Sequence, residues 1–390
     1  MPSIMWILVS VAGGFFAGFT ISWQICLAVW GVLAWLAATD IVPSATVLYF
    51  AAACALAVAG PRPDRGFQAS TRPDPTAIGE RMRLRATRAI DRAFEADAPT
   101  ARALLVADQS EIPRDVKRAY ADAGIVHMLA ISGLHVSIVA ASLALVLNLL
   151  RVPGRLASFM TAGIITGYVF MLGFPAPALR AAVMVCIATA AHASQRHTSR
   201  WSILALGGIV PLMKPETVLA VGYQLSMAGM AAVIAAGALA KRGRLGKLRG
   251  WRRSLTQSLL VSGVATLVTA PLVARWFGRL SLIGPLTNLV ADPVIAMLQP
   301  MLFLALILSP WPAAAHFVAA AAHPLLVAFA SIAHTAAAVP FAAISISASP
   351  AAVVLSIIAA MAFVAACVSR FPGRAITVAV AALSLTIWTA

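Results

Sequence analysis

From residue 124 to residue 390 the sequence holds two carboxylates, Glu216 and Asp292, beside 17 lysines and arginines. A soluble domain carries charges of both signs at about a quarter of its positions. This stretch cannot build such a surface. Apolar runs fill it instead, and they begin before it: about 5–22, 24–39, 43–60, 124–150, 156–172, 177–193, 201–213, 217–240, 255–273, 280–309, 313–338, 346–368 and 375–390. A helix crossing a bilayer takes about 20 such residues. With 61% hydrophobic residues and a mean hydropathy of +0.91, the chain is neither a water-soluble globular enzyme nor disordered. The expected fold is all-α, a polytopic membrane protein of roughly 11–13 transmembrane or re-entrant helices, several interrupted by Gly and Pro.

Three parts follow from the charge distribution. Residues 1–60 contain one charged side chain, Asp40, and read as N-terminal transmembrane helices. The opening MPSIMWILVS lacks a basic leader and is expected to be a retained first anchor. Residues 61–123 hold 12 Lys/Arg and 10 Asp/Glu, a balanced polar stretch. It starts with a Pro/Arg-rich linker, PRPDRGFQASTRPDP, and continues into a helical run from about Ile78 to Asp97. In that run Ile78, Met82, Ile90 and Phe94 stand at helical spacing. Residues 124–390 carry the remaining 17 cations against two acids, and so supply almost all of the chain's net charge of +16. Loop 241–253, KRGRLGKLRGWRR, has seven Lys/Arg and is expected on the cytoplasmic side. Alternating the helices from there places Met1 inside and residues 61–123 outside the cytoplasm. The four cysteines, Cys26, Cys54, Cys186 and Cys367, lie far apart in apolar runs and read as packing residues.

Chemistry concentrates where polar groups interrupt the apolar runs. Gly124-Ile-Val-His-Met-Leu-Ala-Ile-Ser-Gly-Leu-His-Val136 brings His127, Ser132, Gly133 and His135 into one hydrophobic segment. An imidazole in hydrocarbon needs a hydrogen bond or water, and Gly133 permits a helix break that survives only where it is buried or lines a cavity. The segment reads either as the wall of a polar cavity or as an interfacial His127 with Ser132 bonded back to a carbonyl. Ser132 and His135, three apart, also have the spacing of a nucleophile and its base, with no carboxylate nearby to orient the ring. Arg180, in Pro175-Ala-Pro-Ala-Leu-Arg-Ala-Ala-Val-Met184, either snorkels to the interface or meets an anion in a cavity. Gln224 and Ser226, in Gly222-Tyr-Gln-Leu-Ser226, face a pore or join helices through the amide. Asn288 and Asp292 share a helical face before Pro293. Asp292 binds a cation, carries a proton, pairs with Arg180 or is neutral. No nucleotide-binding loop and no HExxH or other His/Asp metal cluster occurs, so no cofactor or metal is implied.

In order along the chain, these segments resemble the ComEC-type competence protein family of inner-membrane DNA-uptake channels. His127-Met-Leu-Ala-Ile-Ser-Gly-Leu-His-Val136 resembles the family signature H-L-L-A-I-S-G-L-H-V, with Met128 replacing a leucine. Ala103 to Ser110 and Ala119 to Gly124 are similar to its lead-in. Pro177 to Met184 resembles the family's Arg-Ala segment, and Gly222 to Ser226 its G-F-Q-L-S segment, with Tyr223 for Phe. Trp276-Phe-Gly278, Asn288-Leu289 and Pro293 are similar to the family's F-G…N-L…P segment, of which Asp292 is no part.

The resemblance implies translocation of single-stranded DNA across the cytoplasmic membrane during natural transformation, by a channel that is not an enzyme. The path would be lined by His127, Ser132, Gly133, His135, Arg180, Gln224, Ser226, Asn288 and Asp292. The implied partners are single-stranded DNA, membrane lipids, a periplasmic DNA receptor, a cytoplasmic ATP-driven translocase and a separate nuclease. Residues 61–123 are too short for the family's OB-like domain, and no metallo-β-lactamase-like motif follows, so a reduced form is expected. Two other functions fit the residues: an intramembrane hydrolase using Ser132 and His135, and a transporter of a lipid or amphiphile whose head group meets Arg180.

Overall fold

The computed structural model describes residues 3–20, 50, 52–54, 57, 77–194, 199–241, 249–346 and 350–368. The apolar run 24–39, most of 43–60, the linker 61–75, the centre of the basic loop 241–253 and the run 375–390 lie outside the described residues. The helices are α1 Ser3–Thr20, α2 Ala77–Phe94, α3 Ala98–Val106, α4 Arg114–Asp122, α5 Val126–Leu129, α6 Gly133–Leu149, α7 Gly154–Met171, α8 Ala176–Ala193, α9 Arg200–Ile209, α10 Val221–Leu239, α11 Gly250–Phe277, α12 Gly284–Ile307, α13 Pro312–Ala337 and α14 Pro350–Val368. Among the described residues the strands are β1, Arg279–Ser281, and β2, Ala343–Ser345, paired antiparallel with Leu280 opposite Ile344. The protein is all-α in class and a membrane protein. Helices α10, α11, α12 and α13 are each long and apolar enough to span a bilayer, and shorter apolar stretches lie in α6, α8, α9 to the following turn, and α14.

The chain forms two compact units. One comprises Met1–Thr76 and Leu143–Met227, the other Ala77–Ser142 and Ala228–Ala390. In the first, α1 packs on α9, and α8 packs on both α7 and α9. Glycine makes these approaches close: a Cβ on Gly207 would stand 2.8 Å from the Met184 side chain, and one on Gly208 2.9 Å from Leu8 and Met227.

In the second unit α12 and α13 form the main helix pair, with α11 on α12 and α14 on α11. The segment before the signature folds onto that pair. Helix α3 is its buried centre: Ala101, Ala103, Leu104, Leu105 and Val106 are all fully buried. Helices α2 and α4 lie against α13, and the ring of Tyr120 meets Phe329 edge-on at 5.2 Å between centroids.

Three details differ from the sequence reading. Of the four apolar α2 positions at helical spacing, Ile90 and Phe94 are buried, beside Gly79, Ala86 and Ala93, whereas Ile78 and Met82 are exposed. The positions are 100° apart per residue, so Ile78 and Met82 fall on the flank of the helix away from that face. The run 280–309 begins as the ribbon strand β1 before α12, because its first residues pair with 343–345. The run 124–150 is two helices, α5 and α6, separated by extended backbone at Ala130 (φ −94°, ψ 142°).

Candidate functional site

The signature is positioned from its first residue. Gly124 has φ +79°, open to glycine at little cost. A Cβ there would lie 2.7 Å from the Cα of Gly284 and 2.8 Å from the Ser281 hydroxyl. Ser281 Oγ donates to the Asp122 carbonyl at 2.8 Å and accepts from the Gly284 N–H at 3.1 Å. Arg279 Nη2 lies 2.7 Å from Asp122 Oδ1. These contacts tie the end of α4 to the ribbon and to the start of α12, and so fix where α5 and α6 begin.

Between α5 and α6 the backbone turns, and His135 closes the turn. Ser132 is the N-cap of α6, and His135 is its third helical residue. The His135 Nδ1 accepts the Ser132 backbone N–H at 3.3 Å and lies 2.9 Å from Ser132 Oγ. This is one half of a capping box, the side chain of the third helical residue reaching back to the N-cap N–H, with imidazole where Glu or Gln usually stands. The backbone N–H can only donate, so Nδ1 is the acceptor and the neutral ring carries its proton on Nε2. His135 is 0% exposed, and its Nε2 has no hydrogen-bond partner among the described residues. His127 is exposed, and the two imidazoles are near enough to interact electrostatically. Ser132 and Gly133 are half-buried.

Two more sequence-selected residues lie in the same unit on α12. Asn288 Nδ2 donates to Ser262 Oγ of α11 at 2.8 Å, an interhelical amide contact. Its Oδ1 is buried without a hydrogen-bond partner among the described residues. Asp292, one turn on, is exposed.

Arg180, Gln224 and Ser226 belong to the other unit. Arg180 is 1% exposed, so it does not snorkel to an interface. Its Nη1 donates to the Tyr223 carbonyl at 3.3 Å, and its guanidinium carbon stands 5.3 Å from the centroid of the Tyr223 ring. Tyr223 Oη in turn donates to the Gly208 carbonyl at 3.1 Å. The pairing needs the start of α10 close to the start of α8, and Gly222 supplies it: a Cβ there would be 3.2 Å from Pro177. Gln224 Nε2 donates to the Val218 carbonyl at 3.0 Å, and Ser226 is half-buried on α10. The geometry thus pairs Ser132 with His135 and Arg180 with Tyr223, while Asn288 meets Ser262, a residue the sequence reading did not select.

The profile of the family described as Competence protein matches residues 104–371. The chain belongs to that family. It is 30% identical over 192 residues to ComE operon protein 3 of Bacillus subtilis (strain 168), covering 49% of this chain and 24% of that protein. It is 34% identical over 203 residues to Competence protein ComA of Neisseria gonorrhoeae, covering 49% and 28%. A 32% match over 139 residues to the Uncharacterized protein YcaI of Escherichia coli (strain K12) covers 33% and 18%. The chain therefore spans about a quarter of the length of the first two of these relatives. No solved structure matches it.

Several structural residues of this competence-family chain escaped the sequence reading. Gln299, fully buried on α12, donates from Nε2 to the Leu104 carbonyl at 3.2 Å. A lone amide in an apolar run was the available signal. Asp97 Oδ2 lies 2.6 Å from His323 Nδ1, joining the turn after α2 to the middle of α13. Arg102 holds Asp91 at 3.2 Å and also pairs with Glu111. These pairs link residues far apart in sequence, and no local pattern marks them. Among the described residues no group of three His, Cys, Asp or Glu side chains gathers as a metal site.

Proposed function

We propose that this chain conducts single-stranded DNA across the cytoplasmic membrane in natural transformation, along a path lined by polar side chains from its apolar helices. His127, Ser132, Gly133, His135, Arg180, Gln224, Ser226, Asn288 and Asp292 contribute to that path. A strand in transit needs a hydrated lining with few cations, because tight phosphate neutralisation would hold it in place. The observation that carries the reading is His135: a fully buried imidazole whose Nε2 meets no acceptor among the described residues, set at a helix start inside an apolar segment. Buried donors of this kind are costly to keep without use, and polar groups in membrane helices mark substrate paths. Family membership supports the substrate, since the matching family is described as Competence protein and one relative is named Competence protein ComA.

In this reading residues 1–60 anchor the chain, Met1 is cytoplasmic, residues 61–123 are extracytoplasmic, and 124–390 form the conducting part. A periplasmic receptor delivers DNA, an ATP-driven translocase pulls it, and a separate nuclease removes the second strand. Labelled DNA supplied to cells carrying His135→Ala or Arg180→Ala should reach the periplasm and fail to enter the cytosol. Normal cytosolic entry in stably expressed variants refutes the lining roles.

One observation favours a second reading. Ser132 Oγ and His135 Nδ1 are within hydrogen-bond reach at 2.9 Å, as a nucleophile and base would be. A fluorophosphonate probe separates the two. Covalent labelling that Ser132→Ala abolishes supports a hydrolase; no labelling leaves the serine as a helix cap.

A further inference from the structure

Helix α2 carries arginines at 81, 85, 88 and 92, and all four are exposed. Steps of four, three and four residues return to the same side of a helix, so the guanidiniums form a single line about 16 Å long. The line runs along the face opposite Ile90 and Phe94, which are buried with Ala86 and Ala93. Acids on this helix do not cancel it. Of its two acids, Glu80 stands in the first turn beside Arg81 and Asp91 is bound to Arg102 at 3.2 Å, while Arg85, Arg88 and Arg92 form no ion pair among the described residues. The stripe is held rigidly, since its helix packs on α3, α12 and α13.

We propose that this stripe binds the sugar-phosphate backbone of a DNA strand outside the conducting helices, an inference resting on the DNA-conducting reading above. One cation per helical turn in a straight line suits a polymer with a charge on every unit, and the four side chains can act together. Charge complementarity alone also suits an anionic bilayer surface. The use of the helix's apolar face argues for the strand. An interfacial helix puts its apolar face into the lipid, whereas here that face is already buried against protein. Exposed Ile78, Met82 and Leu84 flank only the first two turns, and the stripe continues beyond them to Arg92. Among the described residues no aromatic side chain stands in line with these arginines, so the contact is to phosphate and carries no sequence preference.

The test uses the full chain in nanodiscs of zwitterionic lipid, with anisotropy of a fluorescein-labelled oligothymidylate measured across a salt series. Replacing Arg85, Arg88 and Arg92 together by Gln changes only exposed positions, and an unchanged thermal melt verifies the fold. The expected result is an affinity lower by on the order of tenfold or more at low salt, with the log–log salt slope reduced by about 2, for three lost phosphate contacts on a single strand. Unchanged affinity and slope overturn the proposal. A triple variant that binds the oligonucleotide normally but loses binding to phosphatidylglycerol vesicles also overturns it, in favour of a membrane surface. If the wild-type chain binds no oligonucleotide at any salt, the stripe proposal is refuted. The conducting reading is judged separately: His135→Ala blocking cytosolic entry sustains it whatever the stripe does.

Discussion

Arg279 Nη2 stands 2.7 Å from Asp122 Oδ1, joining the residue that opens the β-ribbon to the last residue of the helix before the signature. Both side chains are partly shielded, at 32% and 16% exposure, which places the pair between a solvated and a buried ion pair. Truncating either partner should cost about 1–2 kcal/mol, above the value for an exposed pair and below that for a buried one. Asp122→Ala and Arg279→Ala should each lower the melting temperature in detergent. The exchange Asp122→Arg with Arg279→Asp should recover part of the loss. Purely additive destabilisation in that double variant would mean the two charges do not interact.

Gly124 tolerates no side chain. At φ +79° an L-residue is strained by about 1–2 kcal/mol, and its Cβ would overlap the Gly284 backbone, which cannot rotate away. Gly124→Ala should therefore reduce the folded yield or the melting temperature more than Gly154→Ala, where a Cβ meets nothing within 4 Å. Equal behaviour of the two variants would show that the contact between Gly124 and Gly284 does not form.

The helical class was legible because hydrocarbon leaves the backbone few ways to satisfy its own polar groups. The break after His127 was legible in part. Gly133 marked it, but the turn itself falls at Ala130 to Ser132, with Gly133 already in the helix. Arg180 stood out as a cation in an apolar run, but its contact with the ring and carbonyl of Tyr223, 43 residues away, has no local pattern to announce it. Residues 61–123 read as a polar linker with a helical segment, and the buried faces within 77–123 were not legible because charge counts do not record which face a residue takes. Helix α3 has a single charge, Arg102, and Ala98, Ala101 and Ala103 to Val106 pack as core. Partners such as Leu104 with Gln299 depend on contacts across 195 residues, which no local pattern carries.

Asp108 gives the segment before the signature a pH dependence. Burial alone raises its carboxyl, but the Ser110 hydroxyl and N–H, with Arg83 and Arg102 nearby, outweigh that and hold it below the usual value. A lowered folded value means the unfolded state binds the proton more readily. The stabilisation is complete above the ordinary aspartate range and disappears as pH falls through the lower folded value. Asp108→Asn should thus melt below wild type at neutral pH, and the two curves should converge as the pH drops below about 3.9. A gap that persists unchanged into strong acid would rule out the carboxylate as its source.

His135 combines two jobs that a single substitution can separate. Its Nδ1 accepts the Ser132 N–H, a role that glutamine performs in an ordinary capping box. Its Nε2 offers a buried donor in an apolar segment. His135→Gln retains an acceptor of the right reach and should keep most of the cap, whereas His135→Ala should lose about 1 kcal/mol as typical cap deletions do. Glutamine also changes the shape and donor geometry at the position of Nε2. If the imidazole lines the DNA path, His135→Gln should fold and insert like wild type and still reduce cytosolic entry of labelled DNA, with periplasmic uptake intact. If the residue serves only as a cap, entry should follow stability: near normal in the glutamine variant and reduced in the alanine variant in proportion to the folded protein remaining.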